Sequence, residues 1–142
     1  MAITQSLCAS FKEQILKGQH NFTAVTGDVF KVALYNSMAN LNSSTTVYTA
    51  IDEVVGSGYV AGGNTLLGQT ITLSGTTAFV TFDNSLWLSS TLTASGALIY
   101  NHTKSDKAVA VLNFGGPFSS TNNTFTLTFP PATATTAVII IS

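Results

Sequence analysis

The chain has 142 residues, the length of one domain built on a single core. Hydrophobic residues make up 45% of it, which is ordinary, but only 8% are charged, against roughly a quarter in a typical globular protein. The formal net charge is −1 and lysine is the only basic residue type apart from two histidines, so no basic stripe exists to neutralise a phosphate backbone, and nucleic acid is not an expected partner.

Serine, threonine and asparagine replace the missing charges, and threonine suits a half-exposed pleated surface, so the composition points to sheets. A weakly charged β protein tends to associate through its surfaces, because net charge and edge lysines are what normally prevent it. Met1 opens a polar segment without the basic start and apolar core of a signal peptide, and no apolar run approaches the roughly 18 residues of a membrane span. Synthesis in the cytoplasm and no contact with membrane are therefore expected. Cys8 is the single cysteine, which makes an intrachain disulfide impossible and a buried thiol the plain expectation. The four Asn-X-Ser/Thr sequons, at Asn21, Asn42, Asn101 and Asn122, are what chance gives in so threonine-rich a chain.

In chain order, Leu7, Cys8, Phe11 and Ile15 recur at helical spacing and Gly18 follows as a stop, which predicts one amphipathic helix within residues 1–19. Its first role is to cover a sheet, its second to dock on a neighbouring subunit. From Asp28 the period switches to two, with Phe30, Val32 and Leu34 on one face of a strand and Val29, Lys31, Ala33 and Tyr35 on the other. Asn36 to Thr46, a polar stretch with only Met38, Ala39 and Leu41 to pack, reads as an exposed loop. In Tyr48 to Gly63, the glycines at 56, 58, 62 and 63 lack the strand, helix and third glycine of a dinucleotide site and the Lys-Ser/Thr of a P-loop, so a bend between short strands is the better reading.

Gln69 to Leu73 and Thr77 to Phe82 predict a hairpin about Ser74-Gly75-Thr76, and Asp83-Asn84-Ser85 a turn into Leu86-Trp87-Leu88. Further strands are expected at Gly96 to Asn101, Ala108 to Phe114 and Thr124 to Phe129, the last ended by Pro130-Pro131. Ala137 to Ser142 is too apolar for a strand wet on one face and is expected to be buried on both, within the domain or under a neighbouring subunit. About eight or nine strands and no second helical period give an all-β chain: a single β-sandwich domain, jelly-roll or immunoglobulin-like, with one N-terminal α-helix (1–19) and a β body (20–142).

Little in the chain carries catalytic chemistry. His20 and His102 have no histidine, cysteine or carboxylate at metal-ligand spacing. Asp52 and Glu53 are adjacent, so on a strand they point to opposite faces and do not form a carboxylate pair. No Gly-X-Ser-X-Gly elbow exists, and Cys8 on the apolar face of a helix is poorly placed for a nucleophile. An oxygen-lined calcium site in the Asp52 to Gly63 region is a minor alternative. Trp87 with Tyr48, Tyr59 and Tyr100 could line a sugar site if exposed, but core aromatics are the expectation. No enzyme, metal or cofactor is expected.

Five segments, Phe11-Lys-Glu-Gln-Ile-Leu, Asp28-Val-Phe-Lys-Val-Ala-Leu-Tyr, Glu53-Val-Val-Gly-Ser-Gly-Tyr-Val-Ala-Gly-Gly63, Ala97-Leu-Ile-Tyr-Asn101 and Ala108-Val-Ala-Val-Leu-Asn-Phe-Gly-Gly116, occur in order over nearly the whole chain. Together they resemble a family of small virion structural proteins of tailed bacteriophages and cyanophages. The resemblance implies a subunit without catalytic residues, and more specifically a capsid cement (decoration) protein on the outer capsid surface. Its partners would be the major capsid protein and further copies of itself, as a dimer or trimer. Expected contacts are the N-terminal helix (Leu7, Phe11, Ile15), the loop (Asn40, Leu41, Asn42) and the C-terminal strand (Ile139, Ile140, Ile141). The alternative is a tail component or a receptor- or carbohydrate-binding module, since small β-sandwiches serve there too.

Overall fold

Alternating apolar residues bury one face of a strand, and the described residues of this chain form two antiparallel sheets and one short helix. The computed structural model describes residues 2–130, 133 and 135–141. In chain order the elements are β1 (Ser6–Leu7), α1 (Ala9–Leu16), β2 (Phe30–Tyr35), β3 (Asn64–Thr65), β4 (Thr70–Ser74), β5 (Thr77–Thr81), β6 (Ser85–Asn101), β7 (Lys107–Leu127) and β8 (Ile139–Ile141). The larger sheet has the order β1-β7-β6-β2-β3 and the smaller the order β4-β5-β8. The fold is thus an all-β sandwich with one helix.

The two sheets meet through aromatic rings. Phe22 stacks on Phe30 at a centroid distance of 4.2 Å, Phe82 lies 6.1 Å from Phe30, and Phe129 lies 5.9 Å from Phe82. Val80 from β5 and Ile139 from β8 belong to the same buried cluster as Val32, Leu98 and Val109 of the larger sheet. Helix α1 packs against β7 and directs Phe11 at His20 and Phe22. Cys8 stands at its N-cap without a side-chain capping bond and is fully buried. Gly18, at φ +71°, follows the helix where the stop is expected.

The main departure from the sequence reading is at β6 and β7. Four short segments are expected there, but the chain runs as two strands of 17 and 21 residues, paired along their length. Serine, threonine and glycine in 89–96 and 113–123 look like breakers, yet they carry the ladder through bulges. The largest bulge sets Phe114 to Pro117 opposite Ser95, between the pairs Gly96↔Asn113 and Ala94↔Phe118. Asn113 holds it: its Oδ1 accepts the Gly115 N–H at 2.9 Å and its Nδ2 donates to the Ile3 carbonyl at 2.9 Å. Near the turn the hairpin is buried on both faces (Ala97 to Asn101, Ala108 to Val111). Further out it is covered on one, with Trp87 and Leu92 inward and Leu86 and Leu88 outward.

Two smaller corrections concern the segments expected at the surface or in the core. Of the three residues available to pack in the 36–46 loop, Ala39 and Leu41 are buried and Met38 is exposed, and Leu41 exchanges backbone hydrogen bonds with the N-terminal segment (Thr4 N–H to Leu41 O, Leu41 N–H to Ala2 O). In the C-terminal strand only Ile139 is buried, Ile140 is half-buried and Ile141 is exposed, because β8 is an edge strand. Strand faces at Ser142, and the second proline of Pro130-Pro131, lie outside the described residues.

Candidate interaction surface

Two buried polar networks fix the loops between strands, and they decide which edges of the sheets stay open. The first is built on Glu53. Its Oε1 accepts the Tyr48 hydroxyl and its Oε2 accepts both the Tyr59 hydroxyl and the Gly62 N–H, the last at 2.8 Å. The Tyr59 oxygen in turn accepts the Leu34 N–H at 2.9 Å, and the Val54 N–H donates to the Leu34 carbonyl at 2.9 Å. β3 pairs with β2 only at Lys31 and Val32, so this loop takes over where β3 stops and seals the rest of the β2 edge. Burial, together with the Glu53 carboxylate, pushes the Tyr48 phenol up to about 12 and raises that of Tyr59 still further.

The second network ties α1 to the β6–β7 turn. The Asn101 amide donates to Asp28 Oδ2 at 2.7 Å and to His20 Nδ1 at 3.0 Å, while its Oδ1 accepts the Lys104 N–H at 3.2 Å. His20 Nδ1 is therefore the acceptor nitrogen of a neutral ring, and Nε2–H donates to Gln14 Oε1 at 2.8 Å. Asp28 also accepts the Asn21 N–H at 3.0 Å and pairs with Lys104 at 3.4 Å. Burial lowers the His20 pKa, opposed by Asp28 and assisted by Lys104 and Lys107. At Asp28 burial acts upward, but the bonds from Asn101 and Asn21 and the Lys104 charge outweigh it and hold the carboxyl below its ordinary value.

A pH dependence follows. Below the unfolded value of 6.5 the unfolded chain takes up a proton at His20 that the folded chain resists, since Nδ1–H would face the Asn101 N–H. Stability falls as pH drops through 6.5, and Asp28 adds a further loss once pH falls through its lowered value. The thermal midpoint is expected to drop between about pH 7 and about pH 5, and His20→Gln to flatten that slope. An unchanged slope in the variant would remove His20 from the account.

The expected contact residues divide sharply. Phe11, Leu41 and Ile139 are buried in the chain's own core at 1–2% exposure, so they cannot also face a partner. Leu7 is half-buried and pairs with Ala110, and Asn42 is half-buried in a turn where its N–H donates to Thr45 Oγ1 at 3.0 Å. Asn40 and Ile141 are exposed, Ile140 is half-buried, and Ile15 lines a mostly apolar groove of about 350 Å³ between α1 and the smaller sheet, with Phe22, Ile71, Val80 and Ile141. The sequence reading missed the exposed side chains of Leu16, Val25, Val55, Val60 and Leu73. Leu73 is exposed because β4 ends its sheet among the described residues and all five of its residues are exposed, a signal visible only once the sheet order is known.

Of the aromatics that could have lined a sugar site, Trp87 and Tyr100 are buried, while Tyr48 and Tyr59 are half-buried, with the Tyr59 ring 6.2 Å from that of Trp87. Cys8 is buried and its thiol is pushed up to about 11 by that burial. Among the described residues no three His, Cys, Asp or Glu side chains cluster as a metal site, and no helix is long and apolar enough to cross a membrane. No family model, curated protein or solved structure matches the chain.

Proposed function

We propose that this chain is a non-enzymatic structural protein of a tailed-phage virion, a capsid cement (decoration) protein that binds the outer capsid lattice and stabilises it, with the major capsid protein as its partner. The observation that carries the proposal is the surface. Leu16, Val25, Ile51, Val55, Val60 and Leu73 are each more than 70% exposed on a chain in which only 8% of residues are charged. Such a surface loses little on dehydration and gains about 1.5–3 kcal/mol for each large apolar side chain it buries. Over a shell, many weak contacts of this kind repeat and add by mass action, which is how a small protein can resist internal pressure. The ordered resemblance of five segments to phage virion proteins supports the same reading. The receptor- or carbohydrate-binding alternative asks for an exposed aromatic platform, and of its four candidate aromatics Trp87 and Tyr100 are buried and Tyr48 and Tyr59 half-buried, their hydroxyls engaged by Glu53.

The test is the copy number of the protein in purified parent particles, by quantitative mass spectrometry against the major capsid protein. Near-equal copies are expected. A handful would place it on the tail, and complete absence would overturn the virion reading.

A further inference from the structure

We propose that two copies of this chain join through the outer edge of β4, so that their smaller sheets become one continuous antiparallel sheet. β4 is an end strand, and all five of its residues are exposed, including Ile71 at 52% and Leu73 at 73%. Natural sheet edges are normally blunted by charge, proline, a bulge or a covering loop. The β2 edge shows such a cover, in the Tyr59 and Val54 bonds to Leu34. Among the described residues β4 has none of these devices. No charged residue occurs between Glu53 and Asp83, no proline occurs in the strand, and its register with β5 is unbroken from Thr70↔Thr81 to Ser74↔Thr77.

The strand is also complementary to itself. Gly75, at φ +61°, and Thr76 form a two-residue hairpin loop, so Ser74 and Thr77 flank it as a hydrogen-bonded pair. Alternation then turns the N–H and C=O groups of Thr70, Thr72 and Ser74 toward β5 and those of Ile71 and Leu73 outward. The sequence Thr-Ile-Thr-Leu-Ser has the same polar and apolar order in both directions about Thr72. A two-fold axis at Thr72 therefore sets Ile71 opposite Leu73 of the second copy. The outward-facing groups of both strands then meet as hydrogen-bonded pairs, and the hydroxyl-bearing residues face one another. The pairing register places Ile71 and Leu73 on the same sheet face as Val80 and Ala78 of β5 and Ile139 and Ile141 of β8, so dimerisation extends an existing apolar face across the junction. This inference stands on β4 alone and is independent of the virion reading, which particle copy number decides.

The experiment is sedimentation equilibrium of the full chain over a range of concentrations, with amide hydrogen exchange read at single residues. The wild type is expected to dimerise, with the Ile71 and Leu73 amides slow to exchange in the dimer and fast on dilution. Leu73→Lys is expected to weaken self-association about tenfold or more, because the symmetric interface receives the charge twice. Its circular dichroism and melting midpoint should remain those of the wild-type monomer, since among the described residues the Leu73 N–H faces no partner strand. Leu88→Lys, an equally exposed leucine on β6, should leave self-association unchanged. A wild type that stays monomeric, a Leu73→Lys chain that dimerises as tightly, or protection on association confined to residues outside β4 would each overturn the proposal.

Discussion

Gly63→Ala is expected to destabilise the chain by about 4 kcal/mol or more, enough to leave it largely unfolded in mild urea. Gly63 sits at φ +76°, and a Cβ there would overlap the Val32 carbonyl oxygen and approach Ala33 Cα to 2.8 Å. Both contacts are backbone of β2, a central element whose residues 32–35 are all buried, so neither side can yield. The nearest relief is to push the 56–63 loop away, and that withdraws Tyr59 from Leu34 and from Trp87. Since Trp87 is the single tryptophan, a red shift of its emission should accompany the lower urea midpoint. Gly75→Ala is the control: at φ +61° with open space around it, it should cost only about 1–2 kcal/mol for the left-handed backbone. Equal effects at the two sites would mean that backbone conformation, and not the close approach to β2, sets the cost.

The two glycines also show where sequence reasoning succeeds and where it stops. Gly75 lies between two runs of period two, and that local pattern specifies a hairpin that the structure contains. Gly63 carries no such signal. Its neighbours read as a bend, and only the docking of the loop on β2 reveals that a side chain has no room. The same distinction explains the helix and β2, legible because the spacing of Phe11 and Ile15, or of Phe30, Val32 and Leu34, is a property of adjacent residues. It also explains β6 and β7, where Gly96 and the Ser/Thr runs look like interruptions. Gly96 is small because the paired strand and Ile3 close over it: a Cβ would come within 2.6 Å of the Leu112 carbonyl oxygen and 2.8 Å of the Ile3 side chain. Leu41 is legible as a residue that packs, but what it packs on is not, because its partner, the Ala2 to Thr4 backbone, lies nearly forty residues away in sequence. The candidate surface was less legible than the fold, because exposure of an apolar residue depends on which neighbour strand is missing. Phe11 and Ile139 look like free apolar anchors in sequence, and the core claims both.

Removing the Glu53 carboxylate should have the second largest effect. Glu53 is 7% exposed and accepts three hydrogen bonds, from two phenols and a backbone amide. Glu53→Ala strands all three donors and is expected to cost about 3 kcal/mol, lowering the melting midpoint by roughly 10 °C. Tyr48→Phe removes one donor at a half-buried position and should cost about 1 kcal/mol. Tyr59→Phe should cost more than Tyr48→Phe, because the Tyr59 oxygen both donates to Glu53 and accepts the Leu34 N–H. The alkaline limb distinguishes a working network from simple packing. Tyr48 and Tyr59 are raised above the ordinary 10.0 by burial and by Glu53, so above about pH 10 the unfolded chain releases phenolic protons that the folded chain retains. Stability should therefore fall as pH rises through 10, and Tyr59→Phe should remove part of that fall. If Tyr59→Phe were as stable as the wild type and titrated like it, the β2 edge would be held by the Val54 bond alone, and the loop would owe its place to Gly63 and not to the carboxylate.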